Sequence, residues 1–382
     1  MFRAIQQGVT VALAATVWAS ALSAQAPEGP LPPTPGTTIQ EPPPGALTKI
    51  VSRVTLVNTP VTVRNSKGEM VTSLEASDFH LTDQGIPQKI THFDVGGDPI
   101  SLVVLYETSS NVEPLLPELK KTGILITDTV MGPTGEAAII GFNDSVDHLL
   151  DFTSNADKVQ DAVTHLKLGT SGVKLYDAMA AGVEMLSDRP EATPHKPGRR
   201  RVLLVISEAT DQGSESQLGE VLRQAQLANV TIYSVGLSST RAMLQAKPSG
   251  SQTTISPPGT YPLPPIPGEP PIPVEEDPRV TNTIDLMALA KWAVIHAKDK
   301  VTGNPLEVAD TATGGMHVAT YKDRSIERAI DEIGGELHAQ YTLSYTPTGT
   351  SDTGYHEIKV SVDRGNLKVR SRPGYYLAPP ES

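Results

Sequence analysis

The stretch Ser101–Tyr106 reads SLVVLY, an uncharged run without polar alternation. A strand exposed on one face alternates, so an unbroken apolar run predicts a strand covered on both faces. Ala137–Phe142 (AAIIGF), Arg201–Ile206 (RVLLVI) and Val230–Leu237 (VTIYSVGL) share its character. Between these runs, helical patterns cover Leu115–Val130, Asp157–Leu166 with Ser154 as N-cap, Leu175–Leu186 and Ser216–Ala228. Strand and helix in alternation predict an α/β domain with a doubly wound, mostly parallel sheet.

Outside this region the pattern changes to short alternating strands. Val51–Val57, Val61–Arg64, Phe79–Thr82 and Ile90–Val95 read as strands, with turns at Asn65-Ser66-Lys67-Gly68 and hairpins around Asp83-Gln84-Gly85. Near the other end, a helix over Ile284–Ala297, a strand at Met316–Ala319 and a helix over Ser325–Leu337 precede strands at Gln340–Thr346, His356–Val362 and Asn366–Val369. The strand-rich pieces 49–97 and 339–379 are each too short for a good core. Together they predict a small antiparallel β-sandwich with the α/β domain, 98–338, inserted into it.

Residues 1–24 have the layout of a secretory signal: Arg3, an apolar stretch from Val9 to Leu22, then small residues. The reading is an exported chain, secreted or periplasmic, with a retained N-terminal anchor as the alternative. Of the 33 prolines, 19 sit in two stretches, Pro27–Pro44 and Pro248–Pro278. These predict a linker at 25–48 and a disordered insert at 245–280, since proline-dense backbone makes neither ladders nor helices.

Composition excludes several functions. The 382 residues carry 31 basic and 43 acidic side chains, a net charge of -12 that gives no broad claim on nucleic acid or an anionic membrane. There is no cysteine, which removes thiolate catalysis, Cys-ligated metals and disulfides. The nine histidines show no ligand spacing, and there is no phosphate loop or His-Glu-x-x-His. Gly169-Thr170-Ser171-Gly172-Val173 departs from a nucleophile elbow at Val173 and follows no buried strand. The expectation is a binding module rather than an enzyme, with a hydrolase as the last-ranked alternative. Arg199-Arg200-Arg201 reads as a solvated loop before its strand, or as a docking patch.

Ligands of an open α/β sheet sit beyond the carboxyl ends of its strands. After SLVVLY comes Glu107-Thr108-Ser109-Ser110-Asn111, and after RVLLVI comes Ser207-Glu208-Ala209-Thr210-Asp211. Convergent carboxylate, hydroxyl and amide oxygens suit a hard divalent cation. These loops, with Val173-Lys174-Leu175-Tyr176-Asp177-Ala178, resemble the von Willebrand factor type A (VWA) domain. The lead-in VTVRNSKGEMVTSLEASDFHLTDQGIPQKITHF, the LYDAM helix, the ATGG turn, QYTLSYTP and VRSRPGYY look like the VWA-related proteins typical of Acidobacteria.

The resemblance implies a Rossmann-like domain that binds a protein or matrix partner through a metal-ion-dependent adhesion site. It maps that site onto Glu107, Ser109, Asn111 and Glu208, with Val173 at a threonine position. Only Ser109 keeps the family's residue. An added methylene shifts a carboxylate by about 1.5 Å against a tolerance near 0.2 Å in Mg²⁺ geometry. Two expectations stay open: a weak Mg²⁺ or Ca²⁺ site, aided by Thr170 and Ser171, or a vestigial site in a structural or assembly factor of the envelope. The resemblance also implies that the last helix could transmit binding to the sandwich, against a rigid connection.

Overall fold

The structure, a computed structural model, describes residues 56–190, 198–238, 286–295, 304–320, 325–349 and 353–377. The signal segment 1–24, the linker 25–48 and the insert 245–280 lie outside these residues. Four strands come first, Val57–Arg64 (β1), Phe79–Asp83 (β2), Ile86–Pro87 (β3) and His92–Val95 (β4). The middle region contains Ile100–Glu107 (β5), Glu136–Phe142 (β6), Val146–Thr153 (β7), Arg200–Ser207 (β8), Val230–Gly236 (β9) and His317–Ala319 (β10). Its helices are Leu116–Leu119 (α1), Thr122–Leu125 (α2), Ala156–Thr164 (α3), Leu175–Ser187 (α4), Leu218–Leu227 (α5), Leu286–Ile295 (α6), Pro305–Thr313 (α7) and Ile326–Ala339 (α8). Tyr341–Tyr345 (β11), Gly354–Val362 (β12), Lys368–Ser371 (β13) and Gly374–Leu377 (β14) close the described chain.

The central sheet has six strands in the order β10-β9-β8-β5-β6-β7, all parallel except the edge strand β7. Every residue of β5 is buried, as its unbroken apolar run requires. Val103 and Leu105, with Leu203 and Val205, face a core shared with α4 and α5; Leu102, Val104 and Tyr106 face the opposite core, under α8. Burial of each such side chain contributes roughly 1.5–3 kcal/mol, which offsets the roughly 1–2 kcal/mol of entropy lost in fixing its backbone. The fold is therefore the expected mostly parallel α/β sheet. β7 escaped the sequence reading because VDHLLDFT is half-exposed and carries two aspartates and a histidine.

The predicted helix Leu115–Val130 is broken. A 3-10 helix over Ser110–Leu115 passes into the single turns α1 and α2 and then a π-helix over Ile126–Met131. Pro114 and Pro117 remove donors, and the hydroxyls of Thr122, Thr127 and Thr129 donate to the carbonyls of Leu119, Ile124 and Leu125, loosening the regular ladder. Asn155, not Ser154, caps α3: its Oδ1 accepts from the Lys158 N–H at 3.2 Å. The unpredicted α7 has Asn304 at its N-cap, Pro305 at N1 and Gly314 in the left-handed region after its end, all legible signals.

The terminal pieces form two four-stranded antiparallel sheets, β13-β1-β11-β4 and β14-β12-β2-β3. Val61, Val63 and Leu343 of the first pack against Phe79, Leu81 and Ile358 of the second. β1 runs unbroken through Pro60, which is tolerated because only β11 flanks it there, β13 pairing from Val61 onward. Gln84 and Gly85, both at positive φ, turn β2 into β3, whereas β4 pairs with β11 in the other sheet. The expected hairpin between Phe79–Thr82 and Ile90–Val95 is thus replaced by a crossing between sheets. Buried Asp83 ties the layers together: it accepts from Tyr345 of β11 at 2.9 Å and Tyr375 of β14 at 2.7 Å, with His356 Nδ1 at 3.0 Å.

Arg199–Arg201 is neither a solvated loop nor a docking patch. Arg199 donates to the carbonyls of Ile100 and Thr134, Arg200 to Leu337 O at 2.6 Å, and Arg201 to Ala228 O at 2.7 Å and Ser187 O at 3.1 Å. The ends of α4, α5 and α8 meet the start of β8, where their orphan carbonyls need donors.

Candidate functional site

Alternation along β5 puts Glu107 on the same face as Val103 and Leu105, and along β8 it puts Ser207 with Leu203 and Val205. The parallel register sets Tyr106 opposite Ile206, so Glu107 and Ser207 are neighbours at the carboxyl end of the sheet. Ser207 Oγ donates to Glu107 Oε2 at 2.8 Å, and Glu208 N–H donates to the same oxygen at 2.8 Å. Ser109 Oγ donates to Oε1 at 2.6 Å. Glu107 is 1% exposed and Ser109 and Ser207 are fully buried. Burial pushes the Glu107 carboxyl above its ordinary range; the three donors oppose this, while the Glu208 carboxylate adds to it.

Three of the four predicted ligand residues, Glu107, Ser109 and Glu208, thus converge, the last through its backbone. Asn111 lies half-buried in the first turn of the 3-10 helix and joins no hydrogen bond of this cluster. Val173 is fully buried in the core and supplies only its backbone, its carbonyl accepting from Gln212 N–H at 2.6 Å. Thr170 and Ser171 are exposed on the next loop, where Thr170 O accepts from Ser110 N–H at 2.9 Å.

Other residues, not singled out from sequence, fix the loops. Asn143 Nδ2 donates to Thr108 Oγ1 at 3.1 Å, and its carbonyl accepts from Lys174 N–H at 2.7 Å. A Cβ at Gly169 would overlap the Asn143 amide and push it off its hydrogen bonds to Thr108 and Ser145. Asp211 Oδ1 accepts from Ser214 Oγ at 2.6 Å and from Tyr176 N–H at 3.2 Å, capping α4 from the loop after β8. In return, Asp177 accepts from the N–H groups of Glu215 and Ser216. Burial works to raise the Asp177 carboxyl, but those donors and Lys174 outweigh it and hold it below the usual range. Ala209 at φ 60 and Gly213 at φ 100 give the loop the sharp bends this clasp needs.

As they stand, these residues do not fit a hard cation. A Mg²⁺ shell needs oxygens at about 2.0–2.1 Å in near-octahedral array. Here both Glu107 oxygens accept internal donors, Asp211 caps a helix and Val173 offers no side-chain oxygen. Among the described residues, no group of three or more His, Asp or Glu could hold a metal ion. A serine, a histidine and a carboxylate do meet elsewhere, Ser234 Oγ lying 2.7 Å from His317 Nδ1 and 2.5 Å from Asp310 Oδ2. Ser234 is fully buried, so its hydroxyl faces no substrate in this structure.

Among the described residues no helix is long and apolar enough to cross a membrane. No curated protein matches the chain. Solved structures with similarity include the conserved hypothetical protein BatB from Bacteroides thetaiotaomicron, 14% identical, covering 62% of this chain and 98% of that one at a TM-score of 0.37. An aerotolerance-related membrane protein from Bacteroides fragilis NCTC 9343 matches at 14% identity over the same shares, with a TM-score of 0.35. The SpRpn10 VWA domain matches at 14% identity over 38% of this chain and 78% of that one, at a TM-score of 0.29. At these scores none of the three carries an argument about function. The family profile described as von Willebrand factor type A domain matches residues 102–252, which begin inside β5 and take in the loops around Glu107. The chain therefore contains a von Willebrand factor type A domain.

Proposed function

We propose that this chain is an exported, non-enzymatic binding module whose VWA domain contacts a protein partner through the loops at the carboxyl end of the central sheet. The observation that carries this reading is the division of those loops into a buried, hydrogen-bonded base and an exposed polar rim. Glu107, Ser109 and Ser207 make the base, while Asp144, Thr170, Ser171, Thr210, Gln212 and Glu215 stand exposed above it. A rigid base under polar side chains suits recognition, because the loop backbones are already ordered and binding has only the rim side chains left to fix. The rim's Asp144 and Glu215 favour a partner face that offers donors or basic side chains.

The test is a photo-cross-linking amino acid placed at Ser171 or Thr210 of the exported chain in its native envelope. The expected result is a discrete protein adduct from both positions, reduced at least tenfold by Asp144→Lys with Glu215→Lys. Adducts from probes on the sandwich strands, with none from the rim, would overturn the proposal.

A further inference from the structure

The Glu107 cluster makes sense as a finished piece of structure rather than as an incomplete coordination shell. A site awaiting a cation leaves carboxylate lone pairs facing an open volume. Glu107 instead sits 1% exposed between two strands, with Ser109 on one oxygen and Ser207 and the Glu208 N–H on the other. The donors come from the loop after β5, the last residue of β8 and the loop that follows it, segments that in a cation site would be joined through the ion. A carboxylate accepting several hydroxyl and amide donors is a strong, directional junction in a dry site. The Ser207 hydroxyl continues the junction by accepting from Ala209 N–H at 3.2 Å, the residue held at positive φ.

We infer that Glu107 is a metal-free lock, joining the loops after β5 and β8 by direct hydrogen bonds in the place where the family's pattern puts a cation. Asp211, three residues beyond Glu208 on the same loop, is turned into the cap of α4, and the backbone carbonyl of Val173 is bonded to Gln212. A divalent ion would compete with Ser109 for Oε1, since Oε2 already accepts two donors, and would find no side-chain oxygen at Val173. The loop above the lock is then shaped by the chain alone. This concerns the purified chain and is independent of whether the rim contacts a partner.

Hydrogen exchange over the peptide containing Glu208–Asp211 tests the lock. In the wild-type chain, chelator and millimolar Mg²⁺ or Ca²⁺ are expected to give the same exchange and a melting temperature within about a degree, since an ion that bound only the folded state would raise it by several degrees. Ser207→Ala is expected to speed exchange of this peptide about tenfold, the loss of one charge-assisted bond. Ser109→Ala, which alters only the other oxygen, serves where Ser207→Ala fails to fold. Faster wild-type exchange on chelation overturns the lock, as does a saturable calorimetric titration with either metal that Glu107→Gln abolishes. Unchanged exchange in both serine variants overturns it equally.

Discussion

Arg64 of β1 donates from Nη2 to Oε2 of Glu336 on α8 at 3.1 Å, and Arg370 of β13 holds the other oxygen of the same carboxylate. The Glu336 side chain is fully buried, while the two arginines remain about a third exposed, at 32% and 38%. This carboxylate joins the last helix of the α/β region to the first sheet of the sandwich. Gln340, just after α8, adds a second join, accepting from Arg200 at 2.5 Å and from the Tyr233 hydroxyl at 3.2 Å.

Replacing Glu336 with glutamine strips two arginines of their counter-charge. Breaking a fully buried pair costs about 3–5 kcal/mol; the partial exposure of these arginines brings the expected loss down to about 2–3 kcal/mol. Urea unfolding followed by circular dichroism measures it. A midpoint equal to wild type would show that the carboxylate does not hold the joint, and the rigid connection between α8 and the sandwich would lose its support.

Arg201 is a second anchor, 7% exposed, with its guanidinium on the carbonyls of Ser187, Arg189 and Ala228 at the ends of α4 and α5. Arg201→Ala leaves these carbonyls without a donor and is expected to cost about 2–4 kcal/mol. Arg201→Lys should recover less than half of that, because an ammonium cannot span carbonyls from two helices as a planar fork does. Equal stabilities for Lys and Arg at this position would show that charge alone matters.

The contrast between these anchors and the sheet explains what could be read in advance. SLVVLY is legible because a strand buried on both faces carries its environment in its composition, and Glu107, Ser109 and Glu208 follow from their place just beyond such strands. Ser207, Asn143, Asp211 and Asp177 act through partners some 35 to 100 positions away, a relation set by strand register and loop path. The arginine run misled for a similar reason. Charge beside a strand usually means solvent, and only the assembled fold brings the carbonyl ends of α4, α5 and α8 to the start of β8.

Buried Asp310 and partly buried His317, joined through the Ser234 hydroxyl, give stability a two-sided dependence on pH. Burial raises the Asp310 carboxyl well above its ordinary value of 3.8, with Ser234 and Arg370 opposing it and Glu307 and Glu336 reinforcing it. Burial lowers His317 from 6.5, opposed by Glu307. The folded chain therefore holds more protons than the unfolded one at Asp310, and stability from this group falls as pH rises above 3.8. At His317 it holds fewer, and stability falls as pH drops below 6.5. Between those values the slopes oppose, each bounded by about 1.4 kcal/mol per pH unit. Asp310→Asn should make the slope of stability against pH from 5 to 6.5 more positive than in wild type, and His317→Gln should make it more negative. Urea midpoints across that window check this; three parallel profiles would contradict it.

Adjacent glycines inside α8 are expected to respond in opposite directions to the same change. Gly334 is buried where α8 crosses the π-helix over Ile126–Met131, and a Cβ there would overlap the Thr129 carbonyl oxygen. Gly335 is exposed and a Cβ there meets nothing within 4 Å. Glycine in a helix interior costs roughly 0.5–1 kcal/mol relative to alanine through the freedom of the unfolded chain, so Gly335→Ala should stabilise by about that much. Gly334→Ala gains the same entropy but forces the helix off the Thr129 carbonyl, a backbone atom that cannot rotate away, and should lose about 1–3 kcal/mol net. Thermal melts of the two variants decide the point. A stabilising Gly334→Ala would mean that the close crossing of α8 is not required by the packing of this helix.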